Sequence, residues 1–311
     1  MSVYKEPIAW LRQSIDSILY QTFSDFEFII ICDNPQYDDA IALLKKYAYK
    51  DSRIKILFNE TNIGLTKSLN KGLAIAQGKY IARMDADDIS YNNRFEKQYA
   101  FLEDHPNIIL LGTNIKYFGE CPFYYRFLKQ SSHNDNDIKA TLLYTNCIAH
   151  PSVFIRRSVL ETNLLKYDEN YRANQDYRMW ETLYDRGEFA ILKEKLLLYR
   201  ISSQQITKTK NIEQRYQSQT IKMRLQKKWL EKNGLKYTNT ELEEFPYDIL
   251  CKLKRIKKIC TQKEYYMFLQ YVYIESCDRG KFLKALFSGD FFYFSFQEKL
   301  IYLRNCIKRY I

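Results

Sequence analysis

Apolar and polar positions along the first 112 residues follow two periods, one typical of strands and one typical of helices. Short apolar runs predict strands at residues 2–4, 26–33, 53–58, 80–84 and 108–112. Apolar residues three or four apart predict helices after Pro7 (Leu11, Ile15, Ile18, Leu19), at Ala40 to Tyr47, at Leu65 to Ala76 and around Phe95, Tyr99 and Leu102. This alternation predicts an α/β fold with an open, mostly parallel sheet flanked by helices.

The second part of the chain changes character. Periodicity fails between Gly119 and Asn136, which predicts a long loop. Further elements are predicted at 138–144 (helix), 151–156 (apolar segment), from Asp176 (helix) and at 190–200 (strand). Beyond Thr207 the pattern is wholly helical, with a long helix at 211–232. We therefore expect an α/β domain over residues 1–207 and a helical region over 208–311.

The net charge of +11 is concentrated in the predicted helical region. Residues 1–200 hold 26 Lys and Arg against 26 Asp and Glu, whereas residues 201–311 hold 22 against 11. Aromatic residues make up 16% of the chain and crowd near its end. A basic, aromatic-rich region indicates an anionic partner, either a membrane surface or a nucleic acid.

The cysteines and the apolar stretches indicate a compartment. Seven scattered cysteines lack the paired spacing of a zinc site or a redox dithiol, and reduced thiols are the norm in the cytosol. The amino terminus shows no signal segment, and no run of 18 uncharged apolar residues occurs. These features predict a cytoplasmic protein, with peripheral association at the inner face of the cell membrane if the basic region binds lipid.

An acidic cluster follows the fourth strand-like segment. Asp85, Asp87 and Asp88 stand within four residues directly after YIARM. Ligands of open parallel sheets bind at the carboxyl ends of the strands, and carboxylates spaced i and i+2 suit Mg²⁺ or Mn²⁺ together with a diphosphate. A solvated turn or a helix cap is the alternative for the cluster taken alone.

Six collinear blocks carry a family resemblance. They are VYKEP (3–7), 17–33, NIGLTKSLNKGLAIAQGKYIARMDADDIS (62–90), 93–103, HPSVFIRRSVL (150–160) and DYRMWETLYDRGEF (176–189). In order and rough spacing they resemble glycosyltransferase family 2, whose catalytic domain has the GT-A fold. The resemblance covers about residues 2–207.

The resemblance implies an inverting transferase that moves a sugar from a nucleotide diphosphate donor, usually UDP-linked, to an acceptor hydroxyl. It implies that Asp85 lies near the ribose and the metal, and that Asp87 binds Mn²⁺ or Mg²⁺ on the diphosphate. A divalent cation stabilises the nucleoside diphosphate leaving group as a Lewis acid. The acceptor expected for such an enzyme is a lipid-linked or surface-polysaccharide glycan.

Asp176 matches the family's usual position for the catalytic base. Inversion requires a carboxylate opposite the leaving group to take the proton of the incoming hydroxyl. The alternative is an N-cap, because Asp176 precedes Tyr177, Trp180 and Tyr184 at helical spacing.

Other positions match donor contacts in the family. By the resemblance, Tyr4, Glu6 and Asp33 cradle the base and ribose, Asn62 and Lys67 lie at the diphosphate, Arg200 belongs to a loop that closes over it, and His150 lies near the acceptor or the metal. Taken alone, Asp33 is also a turn residue, Lys67 a solvated lysine, His150 a structural histidine and Arg200 a surface ion-pair partner.

The basic region contains a cationic amphipathic segment at 251–260 and an aromatic cluster at 281–296. Together they predict an in-plane anchor on anionic lipid. No nucleic-acid-binding motif accompanies them, so no nucleic-acid partner is expected. A helical subdomain that packs its aromatic residues and solvates its lysines is the alternative.

Two other functions compete with the transferase. Phosphatases of the haloacid dehalogenase type also use two aspartates spaced i and i+2, but after the first strand and with Thr or Val two places after the second Asp, where this chain has Ile89. A non-catalytic protein that binds nucleotide at the membrane surface is the third hypothesis.

Overall fold

The computed structural model describes residues 1–120, 133–202 and 211–232. Within it the chain divides into two compact units, one of residues 1–138 with 146–221 and one of residues 139–145 with 222–311. The boundary predicted at residue 207 falls outside the described ranges and stays a prediction. The cationic segment at 251–260 and the aromatic cluster at 281–296 also lie outside them.

A three-stranded parallel sheet begins the first unit. Its strands are β1 (Ser2–Val3), β2 (Phe28–Cys32) and β3 (Ile54–Phe58), in the order β1-β2-β3. Helices α1 (Ile8–Leu19) and α2 (Asp38–Lys50) form the crossovers that parallel pairing requires. The helical spacing seen in the sequence buries Leu11, Ile15 and Ile18 of α1 against this sheet's core.

A five-stranded sheet carries the rest of the strands. Helix α3 (Leu65–Ile75) leads to β4 (Tyr80–Ala82) and β5 (Ile89–Ser90), and α4 (Arg94–Asp104) leads to β6 (Ile108–Gly119). Strands β7 (Phe154–Arg156) and β8 (Glu188–Ile201) complete the order β4-β7-β6-β8-β5.

This second sheet is mixed, which differs from the mostly parallel sheet expected. Among the strand pairs of the described residues in this sheet, β6–β8 is parallel, while β4–β7, β6–β7 and β5–β8 are antiparallel. The two-residue strand β5 was not predicted, because so short a segment has no readable period. The α/β class itself is confirmed by the alternation of helices and strands.

The remaining described helices follow in chain order. They are α5 (Asp135–Leu142), a 3-10 turn (His150–Ser152), α6 (Arg157–Thr162), α7 (Gln175–Leu183) and α8 (Asn211–Lys232). Helix α5 begins three residues before the predicted start, where Asn134 accepts the N–H of Asp137. Of the predicted loop from Gly119 to Asn136, residues 121–132 lie outside the described ranges.

The second unit is described over two short stretches. Leu142, Leu143, Leu225 and Trp229 are buried, and Gln226 donates a 2.9 Å hydrogen bond to the carbonyl of Leu143. Among the helices of the described ranges, none combines the length and the hydropathy that a bilayer span requires.

Candidate active site

Three carboxylates meet in the turn between β4 and β5. One oxygen each from Asp85, Asp87 and Asp88 lies within 4.8 Å of the other two. Ser14 of α1 donates a 2.7 Å hydrogen bond to the carbonyl of Asp85, so the first helix holds this turn. The cluster therefore lies where the sequence predicted it, directly beyond the end of a strand.

The cluster is electrostatically unfavourable without a counter-charge. Asp88 is 1% exposed, and this burial is the main reason why its pKa is raised well above the ordinary value. The charges of Asp85 and Asp87 raise it further. Burial and then the charge of Asp85 raise the pKa of Asp87 to about 7. Like charges at this separation raise one another's pKa because ionising one disfavours ionising the next.

The donor set fits a divalent metal ion. Oδ2 of Asp88 is buried and accepts no hydrogen bond from the part of the chain that the structure describes. Hard cations such as Mg²⁺ and Mn²⁺ prefer carboxylate oxygens, and their charge would relieve the repulsion among the three aspartates. Asp85 and Asp87 retain partial exposure, which leaves their oxygens accessible to a ligand.

Arg83 lies buried beneath the cluster and was missed by the sequence analysis. Its guanidinium forms an ion pair with Oδ2 of Asp85, and its side chain is 6% exposed. Its backbone N–H donates a 2.9 Å hydrogen bond to the carbonyl of Val153 in the chain just before β7. The available signal was an arginine inside an otherwise apolar segment, a residue type that is almost never fully buried unless it is paired.

Arg200 forms one wall of the cluster. Its Nε donates to the carbonyl of Asp87 at 2.6 Å, and its Nη2 donates to Gln13 at 2.8 Å. Its guanidinium carbon lies 4.5 Å from the ring centroid of Trp10 and 4.3 Å from that of Phe118. The surface ion pair considered as the alternative is wrong, because Arg200 is 7% exposed and held by these contacts.

Asp33 organises the loop at the end of β2. Its Oδ1 accepts hydrogen bonds from Asn59 at 2.8 Å and from the N–H of Ile63 at 2.9 Å, and its Oδ2 accepts the N–H of Gly64 at 2.8 Å. Asn62 also accepts the N–H of Gly64, at 3.0 Å. Asp33 and Asn62, which were both predicted to contact the sugar nucleotide, thus hold the segment that leads into α3.

Tyr4 and Glu6 form a turn beyond β1. The N–H of Tyr4 donates a 2.8 Å hydrogen bond to Oε2 of Glu6. Burial raises the pKa of Glu6, with the charge of Asp85 a smaller contribution in the same direction. Glu6 also contributes to the raised pKa of Asp87, so this turn and the acidic cluster share one electrostatic environment.

Asp176 lies in the first turn of α7. Its Oδ2 accepts a 2.7 Å hydrogen bond from Asn146, a residue that the sequence analysis did not single out. Burial raises the pKa of Asp176, while the N–H of Tyr177 and the amide of Asn146 oppose the rise. The N-cap alternative is wrong, because the N-cap residue of α7 is Asn174.

His150 is buried between two aromatic residues. It shares a 2.8 Å hydrogen bond with the hydroxyl of Tyr167, and its ring packs edge-on against Trp180 at 5.9 Å. Burial, and then the cation of Arg83, lower the pKa of His150 well below its ordinary value, which favours the neutral ring. These are the contacts of a structural histidine; a role near the acceptor stays a prediction.

Lys67 is an exposed residue of α3. It lines a groove with Ile63, Lys71 and Lys166. The charge of Arg83 acts on the pKa values of Asp176 and His150, and that of Glu6 on the pKa of Asp87, so these predicted residues share the electrostatic environment of the turn at 83–88.

Sequence comparison identifies relatives of this chain. The model of glycosyl transferase family 2 matches residues 1–164. An uncharacterised glycosyltransferase of Methanocaldococcus jannaschii is 39% identical over 202 residues, which cover 65% of this chain and 69% of the relative. WbnJ of Escherichia coli, named as an O-antigen biosynthesis glycosyltransferase, is 34% identical over 200 residues, covering 63% of this chain and 76% of WbnJ.

Solved structures share the fold. S. aureus TarS 1–349 in complex with UDP-GlcNAc matches with a TM-score of 0.60 and 15% identity, covering 89% of this chain and 79% of TarS. The mannosyltransferase PcManGT from Pyrobaculum calidifontis, in complex with GDP-Man and Mn²⁺, matches with a TM-score of 0.56 and 12% identity, covering 99% and 84%. At these identities the likeness shows the fold alone, and it confirms the GT-A fold predicted from the sequence.

Proposed function

Because this chain belongs to glycosyltransferase family 2, and is therefore a glycosyltransferase, we propose that it transfers a sugar from a UDP-linked donor to an acceptor hydroxyl with inversion. The observation that carries this proposal is the placement of two kinds of carboxylate. Asp85, Asp87 and Asp88 crowd together within 4.8 Å, whereas Asp176 stands on a separate helix with an amide donor. Such a pair of environments separates metal binding from proton transfer.

The donor side uses the acidic turn. Asp85 and Asp87 would hold Mn²⁺ or Mg²⁺, which when bound stabilises the charge of the departing nucleoside diphosphate. Arg200 positions the turn through the carbonyl of Asp87 and adds positive charge beside it. UDP is the proposed nucleotide because TarS, which shares the fold, was solved with UDP and with UDP-GlcNAc.

The nucleoside end would be held by Tyr4, Glu6 and Asp33, with Asn62 toward the diphosphate. Tyr4 is 37% exposed and offers a ring face on which a base can stack. Asp33 fixes the loop through Ile63 and Gly64, which keeps the backbone around the ligand preorganised.

The acceptor side uses Asp176 as the base. The acceptor hydroxyl attacks the anomeric carbon, its proton passes to a carboxylate oxygen of Asp176, and the bond from that carbon to the phosphate oxygen breaks. A raised pKa makes Asp176 a stronger base than an exposed aspartate. Asn146 donates to Oδ2 and the N–H of Tyr177 donates to Oδ1 at 2.7 Å, so both oxygens are held in place and a remaining lone pair would accept the proton.

The proposed acceptor is a lipid-linked or surface-polysaccharide glycan. This rests on relatives such as WbnJ, whose name assigns it to O-antigen biosynthesis. An acceptor of that kind places the enzyme on the cytoplasmic side, peripheral to the membrane. Membership of glycosyltransferase family 2 argues against the phosphatase of the haloacid dehalogenase type, since Asp85 and Asp87 would then bind the sugar donor.

A screen of nucleotide sugars tests this function. We expect UDP to raise the melting temperature only with Mn²⁺ or Mg²⁺ present, GDP to do so less, and one UDP-sugar to be hydrolysed slowly. Asp87→Asn should lose both stabilisation and hydrolysis, whereas Asp176→Asn should keep the stabilisation and lose the hydrolysis. Metal-dependent binding of GDP in preference to UDP would overturn the assigned nucleotide, and full hydrolysis by Asp176→Asn would overturn the assigned base.

A further inference from the structure

A groove runs along the exposed side of α3. It consists of two adjoining cavities of about 220 and 410 Å³ that share Asn70, Ala74 and Lys166 in their walls. Small-molecule sites span roughly 300–1,000 Å³, so the pair is large enough for a ligand. The two cavities differ in chemistry, and that difference points to the ligand.

One end of the groove is apolar and is built by the end of α6. The N–H of Leu165 bonds the carbonyl of Leu160 at 2.7 Å, and the N–H of Leu164 bonds that of Glu161 at 3.0 Å. This is the Schellman pattern, whose hydrophobic pair is here Leu160 and Leu165. Both leucines line the smaller cavity with Leu73, and the charged residues Arg157 and Glu161, which also line it, pair with each other.

Leu164 occupies the position in this pattern that usually holds glycine. Its φ is 50°, a left-handed conformation that a branched side chain adopts at a cost. Its side chain is nevertheless 91% exposed at the rim of the apolar cavity. Strain and an exposed leucine at one position indicate that something other than the stability of the fold accounts for this residue.

The other end of the groove is basic. Lys67, Lys71 and Lys166 line the larger cavity, with Glu169 as its acidic residue. Lys166 pairs only loosely with Glu169, at 3.7 Å, and keeps 69% of its side chain exposed. In the described part of the chain Lys67 has no ion-pair partner, so the cavity presents excess positive charge to solvent.

We propose that this groove binds an anionic amphiphile, with a phosphate head at the lysines and an aliphatic chain in the apolar cavity. Lysines bind phosphate as point charges, and each buried methylene contributes hydrophobic free energy. The adjacency of a basic and an apolar cavity selects a molecule that has both parts. The inference goes beyond the transfer reaction, since the groove's residues are not those proposed for the donor, the metal or the base, and binding is measured without turnover.

Decyl phosphate below its micelle concentration is the probe, titrated calorimetrically into the full chain. We expect saturable binding that neither inorganic phosphate nor decanol reproduces. Ala74→Trp should fill the shared wall and abolish binding, whereas Ala42→Trp, at an exposed alanine of α2, should not. Lys166→Glu should weaken binding by about fivefold, whereas Lys46→Glu, the same charge change on α2, should leave it unchanged.

Leu164→Gly separates binding from folding. Glycine accepts the left-handed conformation without strain, so this variant should melt no lower than the wild type while binding decyl phosphate more weakly. Three results would each overturn the proposal. The first is equal binding by wild type and Ala74→Trp, and the second is an equal loss of affinity in Lys166→Glu and Lys46→Glu. The third is equal affinity of the wild type for inorganic phosphate and decyl phosphate. If the wild-type protein binds decyl phosphate but turns over no UDP-sugar, the proposed transferase function is contradicted and the proposal for this groove is not.

Discussion

The backbone N–H of Arg200 donates a 2.7 Å hydrogen bond to Oδ1 of Asp88, 112 residues earlier in the chain. The side chain of the same arginine donates to the carbonyl of Asp87 at 2.6 Å. The turn between β4 and β5 is thus fixed from β8, while Arg83 anchors its other end beside β7. This double attachment preorganises the carboxylates that we propose to bind the metal.

Asp87→Asn should remove a pH-dependent loss of stability. The pKa of Asp87 is raised from 3.8 to about 7. The folded protein therefore holds this proton to higher pH than the unfolded chain does, and stability falls as pH rises between those two values. In metal-free buffer the melting temperature of the variant should fall less than that of the wild type between about pH 4 and about pH 7.

The same variant tests the metal site. Mn²⁺ should raise the melting temperature of the wild type most at neutral pH, where the cluster is most charged, and should have little effect on Asp87→Asn. Asp135→Asn, at the start of α5, is the control for a lost carboxylate elsewhere. Identical responses of all three proteins to Mn²⁺ would contradict the assignment of Asp87 to the metal.

Asn146→Ala should shift the acidic limb of the pH–rate profile. The amide of Asn146 lowers the pKa of Asp176 against the rise caused by burial. Without that donor the pKa of Asp176 should rise further, and the base must be ionised to act. The profile of kcat/KM for the active donor should therefore rise at higher pH than in the wild type. An unshifted profile with a lower plateau would mean that Asn146 acts only in positioning.

Arg200→Lys should weaken metal-dependent UDP binding by about tenfold, because lysine cannot span the carbonyl of Asp87, Gln13 and two aromatic rings at once. Arg53→Lys is the matched control. Like Arg200, Arg53 combines a hydrogen-bonding partner with an aromatic ring: its partner is the carboxylate of Asp51 at 2.7 Å and its ring is Phe26 at 4.5 Å, and neither belongs to the proposed site. The affinity for UDP in the presence of Mn²⁺ is measured by calorimetry. An equal loss of affinity in both variants would contradict a role of Arg200 in donor binding.

Gly119→Ala should destabilise the protein more than Gly64→Ala. The two glycines have φ of 84° and 87°, which L residues rarely adopt, and each alanine should cost about 1–3 kcal/mol in backbone strain. A Cβ on Gly119 would also lie 2.7 Å from the carbonyl oxygen of Ile201, whereas a Cβ on Gly64 meets nothing within 4 Å. The clash should add about 1–3 kcal/mol, measured by urea unfolding. Equal free energies of unfolding for the two variants would contradict the close approach of β6 and β8.

Elements with a strong period were predictable from the sequence. The spacing of Leu11, Ile15 and Ile18 defined α1, and the run from Phe28 to Cys32 defined β2, because burial on one helical face or on both sheet faces imposes those patterns. The long helix at 211–232 was likewise predicted and is observed. Parallel pairing in the second sheet was predicted only in part, because strand direction depends on connections that periodicity does not reveal.

The sequence by itself determined the acidic turn, its position after a strand and the family to which the chain belongs, since these depend on residue order alone. Only the tertiary structure placed Arg83 under Asp85, Arg200 beside Asp87 and Asn146 on Asp176. Those pairs join residues from separate elements, and folding brings such residues together through the packing of whole helices and strands. The pKa of Asp87 also belongs to the fold, because burial and neighbouring charge, not the identity of the residue, raise it to about 7.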